Sequence, residues 1–373
     1  MRSLTALRMA VHDRSSTAGA LLGVVAIVFL VGQQLSILFG LLNYMSVLVD
    51  HSGADAWVVS ANVRNTDAGN LISGRYLDRV IGLKGVEWAE PVLIGNGLFR
   101  TTDGSFESVR VVGCRRPRFA GGPWRFAQAD ELALLDLEAV TVDRLDLGKL
   151  GSPLLEQVTE IGDRRVRVAA VSDGVRGFQG TIIFGSLDKV KDIARTPPGR
   201  YSAILLKFRQ GSNAADVLAK LRAILPNCSV YSSDELSSLT KNYYLTNTGI
   251  GGSFGFSTVI AILIGVVIVS LTMYTSVLSR SRDFAVMRAI GGRRRDVAVV
   301  VISEALIIAG IGLFLGFIML AALLNTTSNS TIPSYFPSYV PPILAAGTLV
   351  VSLLGSFIAL RVALKADPAA VFH

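Results

Sequence analysis

The stretch FGFSTVIAILIGVVIVSLTMYTSVL, residues 254–278, contains no charged side chain. An α-helix rises about 1.5 Å per residue, so a helix of this length exceeds the roughly 30 Å of a bilayer's hydrocarbon core. The stretch therefore predicts a transmembrane helix.

Three further apolar stretches have the same character. The whole chain of 373 residues is 51% hydrophobic and only 17% charged, whereas soluble domains carry about 25% charged residues. The first stretch follows three arginines, as a signal peptide would, but it is too long and lacks a small-residue cleavage site. The sequence therefore predicts a retained anchor and four transmembrane spans: 18–42, 251–278, 297–324 and 340–361.

The basic residues beside the spans predict the topology. Lys and Arg concentrate before the first span, between the second and third, and from Arg361 onward, and the segment 325–339 has neither. Positive flanks stay in the cytoplasm. The cytoplasmic parts are therefore an amphipathic segment suited to lipid headgroups (1–17), a loop (279–296) and a tail (362–373). Because these parts hold almost all of the net charge of +8, nucleic-acid binding is not predicted.

The remaining large segment, residues 43–250, has ordinary soluble composition and lies outside, as does the short loop 325–339. It begins with a β-α-β-β pattern and ends with strand, helix and strand. Between these halves lies a β-rich insertion with a hairpin turn at Gly162-Asp163. Helical spacing continues beyond the first span and resumes from Ser233 towards Gly249. We therefore predict a mixed α/β domain with two β-α-β halves, an inserted β subdomain and stalk helices at both ends.

The sequence offers little for catalysis. It has no G-x-x-x-x-G-K-[ST] loop and no H-E-x-x-H, and the glycine-rich stretch GIGGSFGFS, residues 249–257, lies at the entrance of the second span, where it suits a flexible entry and close helix packing. His12, His51 and His373 are scattered and predict no metal site. Cys114 and Cys228 both fall in the external domain, where a disulfide and two free thiols are alternative interpretations. We expect a non-catalytic chain that binds no cofactor of its own.

The loop 279–296 contains more than a basic turn needs. Its apolar residues recur at helical spacing, arginines flank them, and Gly291-Gly292 ends the pattern. Such a helix fits a groove on a partner or lies among lipid headgroups, and the residues alone favour neither. The residues of this predicted helix are Arg282, Asp283, Phe284, Val286, Met287, Arg288, Ile290 and Gly291.

Polar residues and glycines within the spans suggest helix contacts. A carboxylate in a membrane is costly unless it is paired or near water, so Glu304 either pairs with an arginine of the preceding loop or reaches the interface. Gln33 and Gln34 are expected to contact another helix. Gly19 with Gly23, and Gly312 with Gly316, have the small-xxx-small spacing of closely packed helices.

The segment SRSRDFAVMRAIGGRRRDV, followed by ISEALIIAGIGLFLG, resembles the cytoplasmic loop and third span of the FtsX-like/MacB-like permeases of ABC transporters. GADAWVV and the terminal KADPAAVF resemble the DevC-type members. The loop carries Asp283 where the family usually has glutamate. The resemblance implies a mechanotransmitting (type VII) permease of the bacterial inner membrane, with both termini cytoplasmic and a porter-like periplasmic domain.

The same resemblance implies partners and a role. A separate ATPase would bind ATP and Mg²⁺ and contact the predicted helix of the loop 279–296. The chain would form a homodimer and work with a periplasmic adaptor and an outer-membrane channel in export or efflux. Two alternatives use the same mechanics: regulation of a cell-wall hydrolase, and release of lipoproteins.

Overall fold

The computed structural model describes residues 14–66, 69–178, 180–279, 281–289, 291–327 and 332–365. The chain divides into two compact units. The membrane unit contains residues 1–40 and 251–373, and the extramembrane unit contains residues 41–250. Helix α1 (Arg14–Asp50) contributes residues to both units.

Long apolar helices make up the membrane unit. Within the described residues, four helices are long and apolar enough to cross a membrane: 17–50, 250–279, 294–327 and 340–361. The prediction of four spans with a mixed α/β domain between the first two is confirmed. Besides α1, the helices of this unit, numbered in chain order, are α6 (Ile250–Ser279), α7 (Ser281–Ala289), α8 (Arg294–Thr327) and α9 (Val340–Lys365).

Glycines bring α1 and α6 into close contact. A Cβ atom built at Gly23 would lie 2.7 Å from Cγ2 of Ile268, closer than real Cβ contacts. One built at Gly19 would lie 3.1 Å from Cγ2 of Thr272, and Gly265 on α6 faces Ile27 in the same way. The contacts advance along α1 as they retreat along α6, so the two helices run antiparallel.

A second row of glycines packs α8 against α1. Cβ atoms at Gly312 and Gly316 would lie 2.6 and 2.7 Å from side-chain atoms of Val24 and Val28, respectively. One turn further on the roles reverse, because Gly32 of α1 faces Leu320 of α8. These contacts advance along both helices together, so α1 and α8 run parallel. The small-xxx-small pairs of the sequence therefore lie at two different interfaces of one central helix.

The core of the extramembrane unit is an 11-stranded sheet. It begins with the order β13–β1–β12–β3, in which all neighbours are antiparallel. This is the arrangement of two split β-α-β units. The elements of these units are β1 (Ala56–Ser60), β2 (Ile72–Ser73), α2 (Arg75–Ile81), β3 (Val86–Arg100), β11 (Arg200–Tyr201), β12 (Ala203–Phe208), α4 (Ala214–Ile224) and β13 (Cys228–Ser232).

Strand β1 shows how this part of the sheet is covered. Ala56 and Val58 point to a core shared with α2 and α4, and Trp57 and Val59 point to the opposite core. Successive side chains of a strand alternate between faces, so a fully apolar strand is buried on both sides. The second core also holds the end of α1, through Val47, and the helix α5 (Ser233–Asn247), through Leu236.

The insertion extends the same sheet and does not form a separate one. Strand β3 is long enough to pair with β12 through its first half and with β4 through its second half. The turn at Gly162-Asp163, with φ of +57° and +64°, joins β7 to β8 where the sequence predicts it. The insertion contains β4 (Phe106–Cys114), β5 (Phe126–Gln128), a 3₁₀ turn (Glu131–Leu135), β6 (Ala139–Asp143), β7 (Val158–Ile161), β8 (Arg164–Ser172), β9 (Arg176–Gly177), β10 (Gly180–Ser186) and α3 (Leu187–Ile193).

The sheet order rules out the disulfide alternative. Cys114 ends β4 and Cys228 begins β13, and three strands lie between these two in the sheet. Four strand spacings amount to roughly 19 Å, far beyond the reach of a disulfide. Both cysteines are free thiols, and burial raises the pKa of the Cys114 thiol, which keeps it protonated.

The two helices that connect the units differ in continuity. Helix α1 continues to Asp50 without interruption. Helix α5 begins with a capping box between Ser232 and Glu235 and ends at Asn247. Gly249, with φ of +77°, then separates it from α6. The helical run towards the second span therefore breaks at Gly249.

We expect Gly312→Val to lower the thermal stability of the membrane unit, because the added side chain collides with Val24. Overpacking of this kind costs about 1–3 kcal/mol. Gly310→Val is the matched control, since a Cβ at Gly310 meets nothing within 4 Å. Thermal unfolding of the full chain in detergent measures both, and equal melting temperatures for the two variants would contradict the assigned packing.

Candidate functional site

Helix α7 lies between the second and third spans, where the loop 279–296 predicts a short helix. Its end is defined by the Gly292 N–H, which donates to the Met287 carbonyl at 2.9 Å, and by Gly291 with φ of +96°. This is the Schellman ending of a helix. Gly291 is required by its backbone angle, and Gly292 by space, because a Cβ there would lie 2.5 Å from the Met287 oxygen.

The apolar side of α7 faces the chain's own membrane helices. Phe284 is only 1% exposed and belongs to the core formed by α1, α6, α8 and α9. Ala285 is also buried, and Met287 packs against the same core. Phe284 is therefore covered by the chain's own helices, and its predicted contact with an ATPase stays a prediction. An amphipathic helix buries its apolar stripe on the nearest apolar surface, and here that surface belongs to the same chain.

The opposite side of α7 is open. Asp283 is exposed, and Val286 is 43% exposed. Gly291 is exposed as well, and these three residues are the described part of the predicted site that is available to a partner. The side chains of Arg282 and Arg288, and the whole of Ile290, lie outside the described part of the chain.

The connection from α7 to α8 is fixed by an aspartate. Oδ2 of Asp296 accepts the backbone N–H of Arg293 at 2.9 Å, and the Asp296 N–H donates to the Arg293 carbonyl, also at 2.9 Å. A carboxylate in the first turn of a helix is also stabilised by the positive end of the helix dipole. Asp296 thus offsets the positive charge of Arg294 and Arg295 in the first turn of α8, which the helix dipole disfavours.

Glu304 lies in the interior of the membrane unit. It is 1% exposed, and the Ser276 hydroxyl of α6 donates to its Oε1 at 3.4 Å. Burial is inconsistent with the alternative in which Glu304 reaches the interface, and its pairing with an arginine stays a prediction. Gln33 and Gln34 are both partly buried on α1. Within the described residues, no group of three or more His, Cys, Asp or Glu side chains could hold a metal ion.

We expect Phe284→Ala to destabilise the membrane unit, because the ring fills a site with almost no solvent exposure. Large-to-small changes of this kind cost on the order of 3–5 kcal/mol. Val286→Ala on the same helix is expected to leave the melting temperature of the isolated full chain nearly unchanged. Thermal unfolding in detergent tests the pair, and a larger loss for Val286→Ala would contradict the orientation of α7.

Comparisons with known proteins bear on the two units separately. Residues 255–368 match the family described as FtsX-like permease C-terminal. A comparison with curated protein sequences gives no significant match.

Two solved structures resemble the extramembrane part. The periplasmic region of MacB from Actinobacillus actinomycetemcomitans aligns with 51% of this chain and 95% of its own length, at 15% identity and a TM-score of 0.39. The extracellular domain of the noncanonic ABC-type transporter YknZ from Gram-positive bacteria aligns with 48% of this chain and 99% of its own length, at 11% identity and a TM-score of 0.36.

The family match covers most of α6 and all of α7, α8 and α9. It therefore includes three of the four candidate spans, the short helix with its glycine ending, and the buried Glu304. The membrane region of this chain is therefore similar to the FtsX-like permease C-terminal family over residues 255–368.

Proposed function

We propose that this chain is the membrane subunit of an ABC transporter, which couples ATP hydrolysis by a separate ATPase to movements of the extramembrane unit. The observation that carries the proposal is helix α7 itself. It lies inside the region that matches the permease family, it is rooted in the membrane core by Phe284, and it leaves Asp283 and Val286 open.

Because one side of α7 is exposed and the other is buried, the helix can transmit a displacement to the membrane helices. A partner that binds Asp283 and Val286 displaces α7, and the buried Phe284 passes that displacement to the packed helices. The glycine ending of α7 and the Asp296 cap of α8 support this role, because their hydrogen bonds restrict the movement of α7 relative to α8. The glycine contacts of α1 with α6 and α8 then carry the movement to the helix that continues to Asp50.

Export is the process we propose for this coupling, with a second copy of the chain, a periplasmic adaptor and an outer-membrane channel. ATP and Mg²⁺ would be bound by the ATPase and not by this chain.

Large apolar side chains on α6, α8 and α9 are exposed within the single chain, including Phe256, Phe314 and Phe357. Such surfaces suit contact with lipid or with a second copy of the chain.

Co-purified proteins distinguish export from the alternatives: an adaptor supports export, and a cell-wall hydrolase supports regulation.

We expect Val286→Asp to reduce both the recovery of the ATPase with the tagged chain and the ATPase activity of the complex. The change places a charge on the open side of α7, where apolar contact with a partner is proposed, and leaves Phe284 in its core. The measurement is quantitative co-purification from native membranes, followed by ATP turnover.

The matched control is Val158→Asp in the extramembrane unit. Val158 is 46% exposed, close to the 43% of Val286, so both changes add the same charge at a similarly exposed position. Unchanged ATPase recovery with Val286→Asp would exclude the open side of α7 as the contact. Equal losses in both variants would show a general effect of the added charge.

The topology of the proposal makes a separate prediction. A cysteine at Asp163, on an exposed hairpin turn, should react with a membrane-impermeant maleimide in cells whose outer membrane is permeabilised. A cysteine at Arg293, in the loop after α7, should react only after the inner membrane is opened. The parent chain, with its own Cys114 and Cys228, gives the background, and the reverse labelling pattern would refute the orientation.

A further inference from the structure

A charged pair is buried where the end of α1 meets the β-rich insertion. Arg176 and Asp146 have side chains only 6% and 0% exposed. Two bonds join them: Nε of Arg176 donates to Oδ2 of Asp146 at 2.9 Å, and Nη2 donates to Oδ1 at 2.6 Å. This paired geometry fixes both the distance and the orientation of the two groups.

Helix α1 is a third member of the cluster. The Arg176 side chain is also hydrogen-bonded to the side chain of Tyr44. The backbone makes a second link, because the Phe178 N–H donates to the Tyr44 carbonyl at 3.3 Å. The segment from Arg176 to Phe178 therefore holds one turn of α1 through both a side chain and the backbone.

On the other side, the cluster is anchored in the sheet of the insertion. Asp146 lies in the turn after β6, and its carbonyl accepts the N–H groups of Lys149 and Leu150. Nearby, the carboxylate of Asp143 accepts the Ser172 hydroxyl at 2.9 Å and the Val175 N–H at 2.8 Å. Ser172, at the end of β8, and Val175, just before Arg176, are thus both bonded to Asp143 at the end of β6.

Helix α5 reaches the same segment. The ring of Phe178 meets the ring of the buried Tyr244 edge-on, with centroids 5.4 Å apart. In addition, Nζ of Lys241 lies 3.2 Å from Oδ2 of Asp50, which links α5 to the end of α1. Both helices that lead towards the membrane unit in the sequence therefore converge on Arg176–Phe178.

We propose that Tyr44, Asp146 and Arg176 are positioning residues that form a fixed joint between α1 and the β-rich insertion. The inference rests on the proposed function, in which α1 moves. The apolar attraction made by Val47 and Leu48 is non-directional, so a small slide of one surface over the other costs it little. A buried bidentate ion pair loses its partner if the surfaces slide, so it keeps one register. Movement of α1 is then passed into β6, β8 and β9.

Hydrogen exchange of the full chain with its ATPase in lipid nanodiscs tests the joint, with and without ATP and vanadate. The variants are Tyr44→Phe, which removes only a hydroxyl, and Arg176→Lys, which keeps the charge and loses the paired geometry. The controls are Tyr243→Phe on α5 and Arg195→Lys, whose ion pair with Asp163 is exposed. Recovery of the folded complex is measured for each variant.

Without nucleotide, both variants should exchange the Phe178 amide at least severalfold faster than the wild type and the controls. With nucleotide, the wild type and controls should change exchange in α1, α5 and residues 139–172. The two variants should keep the response of α1 and α5 and lose that of residues 139–172. Should Arg176→Lys fail to assemble, the isosteric Tyr44→Phe still decides the result.

Two results overturn the joint: unchanged protection of Phe178 in the variants, or a nucleotide response of residues 139–172 that persists in them. A different result identifies failure of the proposed function. If the wild type shows no nucleotide response in α1, α5 or the insertion while Phe178 depends on the cluster, the contact is structural, and both the positioning role and the force transmission are refuted.

Discussion

Close packing of glycine against branched side chains on α1 is the contact on which the membrane unit depends. In a membrane, apolar side chains gain little by moving from the lipid acyl chains into a helix interface. Membrane helices therefore associate through close packing and buried polar contacts. Gly23 and Gly265 bring α6 near, and Gly312 and Gly316 bring α8 near. Helix α1 thereby packs against both α6 and α8, the helices before and after α7 in the chain. Helix α1 is also the helix that continues into the extramembrane unit.

The short helix α7 depends on this packed core. Its ring at Phe284 completes the core, and its exit is closed by two glycines and an aspartate cap. A partner on the open side would therefore act on a rigid element. Rigid elements with few alternative arrangements carry coupling better than loops, because a loop absorbs displacement.

Much of the architecture could be predicted from the sequence. Long apolar runs predicted the four spans, since only a membrane accommodates so many apolar residues in a row. Gly162-Asp163 predicted its hairpin, and Gly291-Gly292 predicted the end of α7, because these positions need backbone angles that other residues rarely adopt. Small-xxx-small spacing marked the right glycines on α1 and α8, but the spacing alone names no partner helix.

Amino-acid sequence by itself determined the local properties: which segments are apolar, where helices and turns end, and which motifs of catalysis do not occur in it. Tertiary structure decided everything that depends on which surface meets which. It turned the stripe of Phe284 inward, placed Cys114 and Cys228 four strand spacings apart, and joined Tyr44, Asp146 and Arg176. Periodicity defines a face of a helix or strand, but only the folded chain supplies the surface that covers it.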